Sequence, residues 1–281
     1  MRTLLIPFHG SDATQSALEM AHLVATRFGS YIEGLFVLQP PPIIAGEGIT
    51  IPGEYLTQLA EEGRRLADGA RERFEIFMNE RDVPLQDITI AGDKPSANWR
   101  ELEGLESQII GEYGRLFDLI VVGCATQPSS ADRNATCEAA LFESGRPVMI
   151  STENTPATLG KTIVIAWNGS TETARTIALG MPLLQTAEEV VVLTVEGGTV
   201  PGPNAEQVAQ HLVHNNVNAQ TKLVERGSRT VGEAILEETD RIGADLLIKG
   251  AFTRSRLRQM IFGGATQHIL SAAKVPVFMA H

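Results

Sequence analysis

Ile163-Val164-Ile165-Ala166-Trp167-Asn168-Gly169-Ser170 is a short apolar run that ends in a polar residue and Gly-Ser. Leu4-Leu5-Ile6-Pro7-Phe8-His9-Gly10-Ser11 reads the same way. Two further pairs recur in the same order. Asp118-Leu119-Ile120-Val121-Val122-Gly123 matches Asp245-Leu246-Leu247-Ile248-Lys249-Gly250, and Pro147-Val148-Met149-Ile150 matches Pro276-Val277-Phe278-Met279. Three anchors in one order make the chain an internal repeat, and a repeat decides the fold before any single element does. The first copy carries about thirty extra residues between its first two anchors.

Between the anchors, apolar runs alternate with longer amphipathic stretches. In the second copy the runs predict strands at 162–167, 189–195, 219–225, 244–249 and 276–280. Helical patterns fall near 171–186, 203–215, 229–242 and 262–273, with Ser170 and Thr171 as helix caps. In the first copy the strands are predicted near 3–8, 32–38, 87–92, 117–123 and 146–150, with a long charged helix from about Tyr55 to Arg81. Strands that are apolar on both faces belong to a parallel sheet with helices on either side. The alternation therefore predicts an α/β chain of two doubly wound parallel sheets. The expected domains are 1–152 and 159–281, joined at the polar stretch Ser151–Thr158. Residues 39–54 hold Pro40-Pro41-Pro42, Gly46, Gly48, Pro52 and Gly53, and read as a long loop, either a functional lid or a surface excursion.

Composition narrows the function. Hydrophobic residues make up 43% and charged residues 20% of 281, which suits a folded globular chain. The net charge of −11 argues against coating nucleic acid or docking on anionic membrane. All of that excess acid lies in residues 1–155, while residues 156–281 are balanced. No apolar run approaches the ~18 residues of a membrane span. The run Leu4-Leu5-Ile6 is too short for a signal-peptide core. Two cysteines, Cys124 and Cys137, are too few for a disulfide framework, so a cytoplasmic protein is expected.

The strongest chemical signal runs from Gly250 to Thr266. Gly250-Ala-Phe-Thr253 follows an apolar strand, and Gly263-Gly264-Ala265-Thr266 opens an apolar helix. Small residues let backbone approach a ligand, and the free N–H groups of a helix N-terminus favour an anion. Thr266 adds a hydroxyl. Ligands of doubly wound sheets bind beyond the carboxyl ends of the strands, which places Ala166, Trp167 and Asn168 opposite Gly250. Lys249, Arg254, Arg256 and Arg258 surround the turn and read either as phosphate attraction or as a solvated basic face. The turn itself reads either as a phosphate cradle or as a tightly packed connection that binds nothing.

The sequence Gly-Ala-Phe-x-x-Ser-Arg-Leu-Arg-x-x-Ile-Phe-Gly-Gly-Ala-Thr resembles the signature of the universal stress protein family, as do the Asn-Gly-Ser turn and the terminal Pro-Val strand. The resemblance covers both copies. It implies two tandem Rossmann-like, flavodoxin-like domains, each a five-stranded parallel sheet of order 3-2-1-4-5. It also implies an adenine nucleotide, ATP or AMP, bound through Gly-x2-Gly-x9-Gly-Ser/Thr. By position that motif falls on Gly250, Thr253, Gly263 and Gly264, so the second Gly is Thr and the Ser/Thr is Gly, with Thr266 close by. The family's ribose-binding Asp falls on Asn168, and the residue whose backbone reads adenine falls on Val195. In the first copy Gly123 is kept, but Cys124 to Ser130 follow without a Gly-Gly, and His9 takes the Asp position. The second copy is therefore the expected nucleotide site. The resemblance further implies pairing of the two copies along their last strands, and a homodimer of the whole chain.

Other candidates are weaker. His211 and His214 have metal-ligand spacing without a third ligand, so no metal is expected. His9 has no nucleophile or orienting acid to serve as a base. Ser11 and Ser170 sit where helices begin and read as caps. Neither Gly-x4-Gly-Lys-Ser/Thr nor Gly-x-Gly-x-x-Gly occurs. The expected function is non-enzymatic stress response, with an interaction module lacking both sites as the rival reading and a weak nucleotide hydrolase as a third.

Overall fold

The structure is a computed structural model that describes residues 1–8, 13–40, 52–86, 92–123, 131–152, 156–251 and 264–281. The first half runs β1 (Thr3–Phe8), α1 (Ala13–Phe28), β2 (Tyr31–Leu38), α2 (Gly53–Asn79), β3 (Ser96–Glu103), α3 (Glu106–Tyr113), β4 (Leu119–Val122), α4 (Ala131–Glu143) and β5 (Val148–Ile150). The second half repeats the alternation: β6 (Thr162–Ala166), α5 (Thr171–Leu184), β7 (Glu189–Val195), α6 (Ala205–His214), β8 (Ala219–Val224), α7 (Val231–Ile242), β9 (Leu246–Gly250), α8 (Gly264–Ala272) and β10 (Val277–Ala280).

The ten strands among the described residues form one sheet, in the order β3-β2-β1-β4-β5-β10-β9-β6-β7-β8. Each half thus has the order 3-2-1-4-5. Every pairing between named strands is parallel except β5 with β10, where Val148, Met149 and Ile150 run antiparallel to Met279, Phe278 and Val277. Two apolar cores sandwich the sheet. One packs Leu4, Ile6, Ile163, Ile165 and Phe278 against α1, α2, α5 and α6. The other packs Leu5, Ile120, Val164, Leu247 and Met279 against α3, α4, α7 and α8. Each core crosses the junction between halves, so removal of apolar surface from water at about 25 cal/mol per Å² favours the whole chain as one body.

The repeated anchors have a physical reason. Asp118 accepts hydrogen bonds from the Arg2 and Thr3 amides at 2.6 and 3.2 Å. Asp245 does the same for Lys161 and Thr162, both at 3.1 Å, and for the Thr158 hydroxyl at 2.8 Å. In each half one carboxylate ties the start of the first strand to the start of the fourth. The helix starts are equally local. Ser170 caps α5 by accepting from the Thr173 amide, and Asn204 and Thr230 open α6 and α7 with reciprocal capping boxes to Gln207 and Glu233.

Two expectations need correction. The third strand of the first half is Ser96–Glu103, not a run near 87–92, and residues 87–91 lie outside the described residues. β3 is an edge strand with one apolar face. Its Trp99 packs with Phe8 and Phe74 at ring-centroid distances of 4.8 and 5.5 Å. An edge strand needs no apolar second face, so SANWRELE forms one although its composition is charged. The chain just before it does approach the sheet, with Leu85 bridging Ala97. The long helix begins at Gly53, which shortens the expected 39–54 loop, and 41–51 lie outside the described residues.

Each outer strand carries a cation that reaches a buried carboxylate. Arg100 lies opposite Leu35 and Lys222 opposite Leu193, the corresponding register in the two halves. Arg100 donates to Glu33 on β2 at 3.0 Å, and the Tyr31 and Tyr113 hydroxyls donate to the same carboxylate at 2.7 and 2.6 Å. Burial, then the adjoining Glu33, holds both tyrosine hydroxyls protonated far above the usual range. In the second half the carboxylate comes from a helix instead. Glu238 of α7 is wholly buried and pairs with Lys222 and, at 2.5 Å, with Arg241.

Candidate functional site

The carboxyl ends of β6, β7 and β9 lie side by side, because Ala166 pairs with Leu193 and Ile165 with Ile248. This brings together Ala166, Asn168, Val195, Lys249 and Gly250. A parallel crossover from β9 to β10 runs its helix back against the strands, so the first turn of α8, Gly264-Ala265-Thr266, opens toward the same end. Thr253, Gly263, Arg254, Arg256 and Arg258 lie outside the described residues. So do His9, Ser11 and Cys124 in the first half. His211 and His214 are exposed on the last turn of α6. Among the described residues no group of three His, Cys, Asp or Glu is placed to hold a metal.

Asn168 sits between strand and helix. Its side-chain oxygen accepts from the Ser170 amide at 3.2 Å and from the Thr173 hydroxyl at 2.8 Å. The asparagine thus shapes the turn that starts α5. Gly169 has φ +83°, and a Cβ there would stand 2.6 Å from the Val200 carbonyl oxygen. Only glycine allows that backbone approach.

The chain after β7 lies down on this turn. The Val200 amide donates to the Asn168 carbonyl at 2.8 Å, and the Trp167 indole N–H donates to the Pro203 carbonyl at 2.9 Å. Residues 196–204 therefore border the candidate site, which the sequence motifs do not reveal. Their Gly197-Gly198 and Pro201-Gly202-Pro203 content signals a loop but not where it docks. The Val195 carbonyl accepts from the Gly198 amide at 3.1 Å, which turns the chain sharply at the end of β7.

Gly250 does more than open a turn. A Cβ there would stand 2.5 Å from the Thr173 amide nitrogen, so the absent side chain lets the N-terminus of α5 rest on β9. Lys249 alternates to the opposite face, with Leu247. Its ammonium donates to the Gly250 carbonyl at 2.9 Å. Burial lowers its pKa from 10.5 to about 8. An amine held at such cost at the end of a strand is characteristic of functional sites. A polar surface depression of about 390 Å³ lies at the other end of the sheet, among Thr162, Glu188, Glu189, Asn218 and Gln220. It is remote from the strand ends where ligands of such sheets bind.

Comparison with known proteins fits this geometry. The universal stress protein family model matches residues 160–281. A universal stress protein from Archaeoglobus fulgidus DSM 4304 superposes with a TM-score of 0.69 at 18% identity, covering 99% of this chain and 95% of that one. A functionally unknown protein from Pseudomonas aeruginosa PAO1 superposes with a TM-score of 0.55 at 15% identity, covering 100% and 92%. At these identities the likeness establishes the fold. A comparison with curated proteins found no match. Residues 160–281, then, match the universal stress protein family, and the first half carries the same strand order ahead of the matched residues.

Proposed function

We propose that the second half binds an adenine nucleotide, ATP or AMP, and that the protein acts in a stress response by binding and not by turnover. The observation that carries this reading is Lys249. Its buried amine stands at the carboxyl end of β9, beside Gly250 and on the side to which the α8 N-terminus opens. A phosphate there would meet the free N–H groups of Gly264, Ala265 and Thr266 and a nearby cation. Asn168 would offer hydrogen-bonding capacity to a ribose hydroxyl, and the end of β7 at Val195 would border the base. The lack of a Walker-type motif supports binding without phosphoryl transfer. The acid excess of residues 1–155 supports the balanced half as the nucleotide site. The cytoplasm is the compartment this reading assumes. Among the described residues no helix is long and apolar enough to cross a membrane.

A specific observation favours a second reading, an interaction module without nucleotide. The Asn168 side-chain oxygen, the Val195 carbonyl and the space at Gly250 already have partners inside the protein. Native mass spectrometry of the full chain, purified without added nucleotide and again after addition of ATP, separates the two. The proposal expects an adduct with the mass of an adenine nucleotide that is lost on unfolding. A bare chain in both spectra would support the module.

A further inference from the structure

Arg27 stands two residues beyond the buried pair Val24-Ala25 that ends the apolar face of α1. Thr186 stands two residues beyond Leu183-Leu184, the corresponding pair of α5. The two positions are counterparts in the repeat, and they touch. The Arg27 guanidinium, in the first half, donates to the carbonyls of Leu159 at 2.5 Å, of Gly160 at 3.3 Å, and of Thr186, all in the second half. A contact between counterparts marks where a pseudo-twofold axis passes between the halves. Under true twofold symmetry such a residue would meet itself. Here one side of the axis is arginine and the other threonine.

We propose that Arg27 makes the pairing of the halves directional, so that the first half fits the second half and rejects a second copy of itself. A guanidinium is a planar fork of five donors, suited to gathering several carbonyls at once. The second half supplies those carbonyls and places Asp245 and Glu188 within electrostatic reach of the fork. Pairing of two first halves would set Arg27 against Arg27 at the axis, two partly buried cations facing each other. Pairing of two second halves would bring the Leu159, Gly160 and Thr186 carbonyls together without a donor, leaving acceptors unsatisfied. Only the mixed pair sets a single fork against the carbonyls of the other half. Specificity of this kind rests on the repulsive element as much as on the attractive one. The antiparallel strands β5 and β10 lack that element, since backbone pairing between Val148–Ile150 and Val277–Met279 is available to like halves as well.

Hydrogen exchange on the full-length chain tests the proposal with three variants. Thr186→Arg sets a second fork at the axis, Arg27→Thr removes the first, and Arg27→Lys keeps charge without the fork. The amides of β5 and β10 should exchange about ten-fold faster or more in Thr186→Arg and Arg27→Thr, and by a smaller factor in Arg27→Lys. Amides of β1, β2, β6 and β7 should stay within about two-fold of the unmodified chain. Light scattering after refolding at raised concentration adds a second readout. Arg27→Thr should form a larger dimer fraction than the unmodified chain, because like halves no longer repel. Unchanged exchange at β5 and β10 in all three variants, equal acceleration across every strand, or an unchanged dimer fraction would each overturn the proposal.

Discussion

Replacing both cations around Glu238, with Lys222→Met and Arg241→Met together, should cost the fold about 3–5 kcal/mol in denaturant unfolding, because a buried charge is then left without compensation. Glu238 is wholly buried on α7, while the Lys222 and Arg241 side chains keep 41% and 65% of their exposure. The cations can therefore return to water at little cost, and the carboxylate cannot. Adding Glu238→Gln to the double variant should recover most of the loss, since the amide carries no charge to desolvate. A loss confined to the single-variant level of an exposed pair, about 1 kcal/mol or less, would show that Glu238 is solvated. The first half holds its own carboxylate differently. Glu33 comes from a strand and accepts from Arg100, Tyr31 and Tyr113, so its single variants should each cost less than the Lys222 and Arg241 pair.

Lys249→Met should act in the opposite direction and stabilise the fold by about 3 kcal/mol at pH 7, the cost of a base whose pKa falls from 10.5 to about 8 on folding. The amine binds its proton up to about pH 8 in the folded chain but up to 10.5 in the unfolded one. Between those values the unfolded state holds more protons, so the stability of the unmodified chain rises with pH across that window. Below pH 8 the cost is constant and complete. The difference in unfolding free energy between Lys249→Met and the unmodified chain should therefore be flat up to about pH 8 and close as pH approaches 10.5. Chemical denaturation at a series of pH values reads this directly. A destabilised variant, or a difference independent of pH to 10.5, would contradict the buried amine. A stable variant that no longer holds nucleotide would instead identify the lysine as one retained for function at the expense of the fold.

Much of this architecture is legible in the amino-acid sequence because its determinants are local. Ile163 to Ala166 and Val190 to Leu193 are apolar at every position, which only a strand buried on both faces requires. The paired aspartates, Asp118 and Asp245, mark the repeat because each performs the same hydrogen-bonding task in its half. β3 is not legible, since its partner is the Phe8-Phe74-Trp99 cluster and those aromatics are far apart in the chain. The candidate site shows the same division. Asn168 and Gly250 are visible as a turn residue and a small residue, and both lie at the expected end of the sheet. That Gly250 admits α5, and that Val200 and Pro203 cover the Asn168–Gly169 turn, depends on contacts between segments that no spacing reveals. Arg27 is invisible for the same reason, because its partners are main-chain carbonyls of the other half.

The claim that the second half binds a nucleotide at the α8 N-terminus rests most directly on one comparison by isothermal titration calorimetry. ATP is titrated into the full chain and into Gly264→Asp, which sets a carboxylate at the start of α8 where it favours the helix but repels a phosphate. The account predicts saturable heat with the unmodified chain and an affinity weaker by about ten-fold or more in the variant. No heat with the unmodified chain, or equal affinity in the two, would contradict it.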